Sequence, residues 1–519
     1  MNVDMIHRIN VGDALTRVAH ARPDSLALVD GERRLTYGAF DAWVNRLARG
    51  LAARGYAPGD VLALASGNSA EFLAVYYACA KAGVVCVPVN LGWRPGEVAY
   101  VLGHSRARGI VVESQLVAAL GPAIAEVPGV VDIVVVAGGP DHTGLTLDEL
   151  AAADGSPVEV EVGDRAPLSY LYTSGTTSFP KGVVASHLAI HLESMSVALD
   201  SGWRADDRFL AMMPMFHTAQ LNAFCTPAVV VGAAIVVHRG FDPAAFLDTI
   251  ERERITQVFG LPMMYRAALE HASFAGRDLA TLRRAVYAMA PMPEAQIKAC
   301  LEAYGCDFAL LFGQTEMSPV TTFFRPEHQL SHVGAVGTPL TGVQVAIMDD
   351  DGRLLPRGET GEIVYRGPST MEGYLHDPEA TAAAFRHGWF HSGDVGRFGG
   401  DGVLWFTDRF KDVIKTGGEN VASLEVERAV YDTEPGVAEV VVVGLPHARW
   451  SEAITAVVVP KEGVTIDPDA LRAALRERLD DYKVPKAVIV ADALPRTSTG
   501  KIQKNVVREK HVHHFGSAT

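Results

Sequence analysis

The sequence predicts an α/β protein: a large N-terminal domain of layered sheets and helices that ends in a small barrel-like subdomain, followed by a smaller α+β C-terminal domain. Three observations predict it. Helical and strand-like stretches alternate through the N-terminal portion, short turn-bounded strands take over from Gly361, and past Asp408 about 110 residues carry an apolar pattern of their own. The chain has 519 residues, 48% of them hydrophobic and 21% charged, which suits a globular protein with more than one core.

Phe40, Val44, Leu47 and Leu51 fall on one helical face, Gly55 stands where a C-terminal cap belongs, and Val61–Ala65 then reads as a strand. Asn68 with Glu71 three residues later predicts the cap of a second helix, which Gly83 stops. Val84–Val89 follows as an apolar run suited to a buried strand. Ile110–Glu113, Val131–Val136 and Leu168–Leu171 add strands, and this alternation predicts largely parallel sheets. The strand-like stretches at 362–367 and 402–407 lack long helices between them, hence the small antiparallel or barrel-like subdomain. Beyond it, Val437–Val443, Ile454–Val459 and Val488–Ala491 read as strands. A helix opened by Asp467-Pro468 puts Leu471, Leu475 and Leu479 on one face.

A net charge of −15 argues against nucleic acid or an anionic membrane surface as the main partner, so anionic ligands need local cradles. The five cysteines are scattered, without a CxxC pair, so neither a disulfide framework nor a structural zinc site is expected; a reducing cytoplasm fits. No run of about 18 apolar residues occurs, which leaves integral membrane association without support. His511, His513 and His514 read as a frayed polar tail rather than a metal site. A homodimer is compatible with everything above.

The densest chemical signal is Tyr172-Thr173-Ser174-Gly175-Thr176-Thr177-Ser178-Phe179-Pro180-Lys181-Gly182. Small hydroxyl side chains, glycine backbone and one ammonium can all face a single polyanion after a buried strand. A shorter match would be an ordinary Ser/Thr/Gly surface loop. Pro180 before the lysine and Gly182 after it separate the stretch from the common G-x-x-x-x-G-K-[ST] nucleotide loop.

The stretch closely resembles the signature loop of the adenylate-forming enzymes, the superfamily of acyl-CoA synthetases, luciferases and peptide-synthetase adenylation domains. Ser178 departs from the glycine usual there, at a cost of about 1 kcal/mol if its φ is positive. Thr173, Ser174, Gly175, Thr176, Thr177 and Lys181 are the phosphate-binding candidates that the resemblance implies. Phe312-Gly313-Gln314-Thr315-Glu316 is similar to the family's Tyr-Gly-x-Thr-Glu segment. It implies adenine stacking on Phe312, close approach at Gly313, Gln314 and Thr315 beside the nucleotide, and Mg²⁺ held by Glu316 with Thr176. Ala290 and Pro291 end the Ala288-Met289-Ala290-Pro291 segment, which the family also places against the nucleotide.

Asp394, in Trp389-Phe390-His391-Ser392-Gly393-Asp394, matches the aspartate that accepts from both ribose hydroxyls, and Arg409 the arginine that reaches ribose and phosphate. Lys411 stands where the family has its hinge, which sets the N-terminal adenylation domain at 1–407, the hinge at 408–411 and a mobile C-terminal domain at 412–519. Gly417, Gly418, Glu419 and Asn420 resemble the loop that builds the pantetheine tunnel; a plain turn between strand and helix is the alternative. Lys501, in Pro495-Arg496-Thr497-Ser498-Thr499-Gly500-Lys501, resembles the catalytic lysine that enters the site for adenylation.

Pro214–Gln220 resembles the segment lining the acyl pocket. It offers neither an aspartate for an amino group nor an arginine for a second carboxylate. Phe216, Gln220, Leu221 and Met289 are the substrate-binding candidates, His217 a catalytic or structural histidine, and the pocket is expected to be apolar and neutral. The resemblance covers nearly the whole chain, from Lys81-Ala82-Gly83 to Lys501. It implies an AMP-forming acyl-CoA synthetase of the fatty-acid–CoA ligase branch, using ATP, Mg²⁺ and CoA on a medium- to long-chain or otherwise bulky apolar carboxylic acid. The alternative hands the adenylate to an acyl carrier protein or partner enzyme. A luciferase-like monooxygenase stands further off, as does a non-catalytic nucleotide binder, which loss of Lys501 or Glu316 would favour.

Overall fold

Residues 4–136, 144–173, 180–289, 292–497 and 502–516 are described by the computed structural model. The N-terminal portion of the chain forms two large sheets. One has nine strands in the order Thr338–Pro339, Val320–Phe324, Asp307–Gly313, Arg284–Tyr287, Gln257–Gly260, Arg208–Ala211, Ala234–Val237, Leu26–Asp30, Arg33–Thr36. Its six members from Asp307–Gly313 to Leu26–Asp30 run parallel. The other has eight strands: Gly373–Tyr374, Lys181–Ser186, Pro167–Thr173, Val85–Pro88, Val61–Ala65, Gly109–Val112, Asp132–Val135, Leu145–Thr146. These are parallel from Pro167–Thr173 onward. All of Val61–Ala65 and all of Gln257–Gly260 are buried; the first is therefore a continuous apolar run, and the second buries Gln257 only because its amide donates to Asp207 at 2.8 Å.

Helices Tyr37–Ala53 and Ala70–Ala82 lie where the apolar spacing puts them, and Gly83 closes the second at φ 70°. The cap of that helix is Ser69, whose hydroxyl accepts from Phe72 N at 3.0 Å, and not Asn68. The Asn68 amide reaches further: it donates to the carbonyls of Met213 and His238 and accepts from Met215 N at 2.8 Å. A stack of Phe209, Phe224 and Phe259, with centroid spacings of 5.1 and 4.3 Å, fills the core beneath the nine-stranded sheet.

From Gln344 the chain builds a four-stranded antiparallel sheet, Gln344–Met348, Gly361–Arg366, Phe390–Phe398 and Leu404–Arg409 in that order, as the short turn-bounded strands predict. Beyond it, a separate apolar core gathers Ile414, Val426, Val430, Val442, Ile454, Leu471 and Leu475. They line a sheet ordered Glu419–Val421, Ile414–Thr416, Ser451–Pro460, Val437–His447, with Ala487–Val490 parallel to Ser451–Pro460. The Asp467 carboxylate caps helix Pro468–Leu475, and Leu479 packs just past its end. The histidine-rich tail does not fray. Phe515 lies edge-on to His447 at 5.2 Å and packs with Val441 and Val507, an apolar anchor that the surrounding histidines hide in the sequence. No helix among the described residues is long and apolar enough to cross a membrane, and no group of three or more metal-ligating side chains occurs among them.

Lys81 is 4% exposed, and its ammonium sits 2.5 Å from Asp41 and 2.6 Å from Asn45, joining the two long helices. Burial pulls the lysine's affinity for its proton down, and the Asp41 carboxylate opposes that. Lys81→Ala strands a buried carboxylate and is expected to cost roughly 3–5 kcal/mol, read by denaturant unfolding. The paired replacement Lys81→Met with Asp41→Leu should cost less than the single change.

Candidate active site

The site is assembled from strand ends. In the nine-stranded sheet, the neighbouring parallel strands Asp307–Gly313, Arg284–Tyr287, Gln257–Gly260 and Arg208–Ala211 deliver Phe312–Gly313, Ala288–Met289, Leu261–Met264 and Met212–Pro214 at their C-terminal edge. That edge is where open parallel sheets bind ligands. In the other sheet, Pro167–Thr173 and Lys181–Ser186 pair antiparallel with Thr173 opposite Lys181, so both arms of the signature loop are pinned. Ser174, Gly175, Thr176 and Thr177 lie outside the described residues, as do Ala290, Pro291 and Lys501.

Tyr374 joins the two edges. Its ring lies 4.8 Å beneath the Lys181 ammonium, and its hydroxyl donates to Glu316 at 2.9 Å. Burial, aided by the Glu316 charge, holds that hydroxyl protonated, so it is a permanent donor. Glu316 itself sits in the turn Thr315–Met317, and its carbonyl accepts from Met371 N at 2.7 Å. Gly313 permits this turn: a Cβ there would stand 2.0 Å from the Pro319 carbonyl oxygen. The Gln314 backbone N–H donates to that same carbonyl, and Thr321 Oγ1 to Phe312 O.

The Phe312 ring lies 5.3 Å from Phe406, three residues before Arg409. Arg409 and Asp394 stand opposite each other in adjacent strands, and the guanidinium Nε is 3.2 Å from a carboxylate that is 4% exposed. The Asp394 amide is tied to Ser392 Oγ, and that hydroxyl to Ile363 O. Lys181, Glu316, Phe312, Asp394 and Arg409 are therefore linked through Tyr374, Phe406 and the 312–316 turn.

In the Pro214–Gln220 segment, Phe216 and His217 pack at 4.7 Å, and the Asn68 bonds described above hold the segment. His217 Nε2 is buried with no hydrogen-bond partner among the described residues, and burial lowers the imidazole pKa to about 4. The ring is neutral at ordinary pH. Gln220 accepts from Met213 N and donates to Cys225 Sγ, bonds that brace this segment, and Leu221 is wholly buried at the start of a π-helical turn. Met289 is 40% exposed at φ 68°, in the left-handed region that favours glycine. Gly417 and Gly418, at φ 60° and 90°, form the tip of a hairpin between Ile414–Thr416 and Glu419–Val421, not a strand-to-helix turn. The tip donates from Gly417 N to Trp450 O, and Arg449 and Lys486 lie 4.5 and 5.3 Å over the Trp450 ring. Glu419 and Asn420 are exposed beside it. Lys411 is exposed, and the next residue, Asp412, pairs with Arg508 at 3.0 Å.

Sequence reasoning missed Tyr374 and the bridging role of Asn68, since both depend on long-range pairing.

A lysine, a carboxylate-bearing turn and a buried aspartate–arginine pair, linked at adjoining strand ends, are groups suited to a nucleotide-dependent enzyme. The AMP-binding enzyme family model matches residues 15–375 and the AMP-binding enzyme C-terminal domain model residues 425–501. The chain belongs to that family of adenylate-forming, AMP-forming ligases. It is 38% identical to a feruloyl-CoA synthase from Amycolatopsis sp, over 96% of this chain and 99% of that protein. It is 34% identical to the fatty acid–[acyl-carrier-protein] ligase ScoC of Streptomyces coeruleorubidus, over 95% and 94%. The crystal structure of ATP-bound MatB from Rhodopseudomonas palustris superposes with a TM-score of 0.89 at 30% identity, covering 98% of this chain and all of that one.

Burial also lowers His187 to about 4, chiefly by desolvation. For both imidazoles the folded pKa lies below the ordinary value of 6.5, so the unfolded chain binds more protons between about 4 and 6.5. Stability is full above that window and falls as pH drops through it. Thermal unfolding followed from pH 7 to pH 4 should register this loss, and His187→Asn or His217→Asn should each flatten some of it.

Proposed function

We propose that this chain is an ATP-dependent acyl-CoA synthetase, working in the cytoplasm, that activates a medium- to long-chain or otherwise bulky apolar carboxylic acid as its acyl-adenylate and passes the acyl group to CoA. The observation that carries the reading is the linkage of Lys181, Glu316, Phe312, Asp394 and Arg409 along converging strand ends. A carboxylate cannot expel oxide. Its oxygen therefore attacks the α-phosphorus of ATP, the bond to pyrophosphate breaks, and the thiol sulfur of CoA later takes the acyl carbon as AMP leaves.

Each residue has a role in that scheme. The buried Asp394 carboxylate accepts from the ribose hydroxyls and Arg409 neutralises it and reaches the phosphates, while Phe312 stacks on adenine. Lys181 and the signature-loop hydroxyls hold the outer phosphates. Glu316, its one oxygen already fixed by Tyr374, has an acceptor oxygen left for Mg²⁺; a single carboxylate with Thr176 and phosphate oxygens is the kind of donor set that ion takes. The ion would supply charge neutralisation. Neutral His217 beside Phe216 orients the incoming carboxylate without adding charge, and Lys501 offsets the charge that builds as two anions meet. Lys411 is the pivot about which residues 412–519 turn between the half-reactions.

The acid class is supported by an apolar edge of Phe216, Leu261, Met264 and Met289, and by the feruloyl-CoA synthase relative. The acceptor is supported by the Trp450 face under Arg449 and Lys486 beside the glycine hairpin: an aromatic ring with two cations suits the adenine and phosphates of CoA. The ScoC relative favours a second reading, in which a carrier protein receives the acyl group. AMP formation from a panel of carboxylic acids, with and without CoA, separates the two. The proposal expects bulky apolar acids to be turned over only when CoA is present; turnover that needs a carrier protein instead would overturn it.

Lys501→Ala should abolish pyrophosphate release while sparing thioester formation from supplied acyl-adenylate. Asp394→Ala should raise KM for ATP by roughly tenfold or more, as loss of a charged hydrogen-bond acceptor implies; an unchanged KM would remove it from the ribose site.

A further inference from the structure

The last helix, Lys504–His511, begins three residues after Lys501. Its first residue is a lysine, which the positive end of a helix disfavours. Lys504 is held there by partners: its ammonium donates to Ser423 Oγ at 2.5 Å and pairs with Glu427 at 2.9 Å, and both carboxylate and ammonium are largely buried. Ser423 passes the contact on. Its hydroxyl and its amide both donate to Asp408, at 2.6 and 2.5 Å, and Asp408 is 2% exposed. One helical turn later, on the same face, Arg508 pairs with Asp412 at 3.0 Å and touches the Lys411 carbonyl at 3.5 Å.

The helix is thus fastened at two points to the chain on both sides of Lys411: to Asp408 before it, through Ser423, and to Asp412 after it. Apolar packing alone would hold it less well, because Val507 is the one fully buried side chain among its eight residues. Helix Ser423–Thr433, which carries Ser423 and Glu427, is the first helix after the pivot. Rotation about Lys411 therefore acts on the Lys504–His511 helix through the Arg508–Asp412 ion pair and the Lys504–Ser423–Asp408 hydrogen bonds.

We propose that Lys504 and Arg508 are positioning residues for adenylation, coupling the pivot to the segment that ends in Lys501. The inference rests on the reading in which Lys501 serves the first half-reaction, and it concerns residues that touch neither ATP nor the acid. Loosening the fastening removes neither a nucleotide-binding nor a thiol-binding side chain but frees the helix that follows Lys501 in the chain, and misplacement of a catalytic group by about 1 Å can cost on the order of a hundredfold.

The test compares Lys504→Met, Arg508→Met and Asp412→Asn with Lys504→Arg and Lys501→Ala in the full-length enzyme. Pyrophosphate–ATP exchange reads adenylation, thioester formation from supplied acyl-adenylate reads the second step, and thermal unfolding reports folding. The expected result is a fall in exchange of about 10- to 100-fold in the three loosening variants, with thioester formation within about threefold of wild type and exchange largely retained by Lys504→Arg. Asp412→Asn keeps volume and shape, so it stays informative if Lys504→Met unfolds. Unchanged exchange in the folded variants, or an equal fall in both steps, would overturn the inference. Full exchange in Lys501→Ala would instead overturn the reading beneath it.

Discussion

The ion pair between Arg409 and Asp394 is the contact on which the rest turns. A carboxylate 4% exposed is costly to leave alone, and the guanidinium lying 3.2 Å away is fixed by strand register rather than by chance rotamers. Arg409 is the last residue of its strand, and the chain departs toward its C-terminal core through Lys411. The same pair therefore ties the two strands together where the chain leaves the four-stranded sheet for its second apolar core. At the other end, the Tyr374 ring and hydroxyl tie Lys181 to Glu316, a contact between two sheets that share no strand.

The chain carries a net charge of −15, yet its ligands are anions. The structure resolves the conflict locally. Lys181, Arg409, Arg449 and Lys486 each stand by an aromatic ring or a fixed carboxylate, where a cation is oriented and partly shielded from the acidic surface. The edge that carries Phe216 and His217 differs in kind: burial keeps the His217 ring neutral, and Phe216 packs against it.

Much of this was legible in the residues. Continuous apolar runs such as Val61–Ala65 gave buried parallel strands, Gly83 stopped its helix, and the ordered segments at 172–182, 312–316, 389–394 and 409–411 carried the family resemblance. What escaped the sequence depends on contacts between distant residues. Tyr374 acts through the pairing of Gly373–Tyr374 with Lys181–Ser186, nearly two hundred residues earlier, and no local pattern marks it. Asn68 looks like a cap because it precedes a helix, but Ser69 takes that task and frees the amide to brace Met213–Met215. The bonds of Gln220 to Met213 and Cys225 have no local mark, and the strand-to-helix alternative for the glycine pair at 417–418 gives way to a hairpin once Thr416 and Glu419 are seen to pair. Phe515 was masked by the histidines around it.

In the proposed reaction the inner phosphorus of ATP is the atom attacked, and the acid's own oxygen attacks it. Turnover of a carboxylic acid labelled with oxygen-18 in both carboxyl positions, followed by mass spectrometry of the products, tests that directly. The account predicts one labelled oxygen in the phosphate of AMP and none in pyrophosphate. Label in pyrophosphate or orthophosphate, or AMP without label, would contradict it.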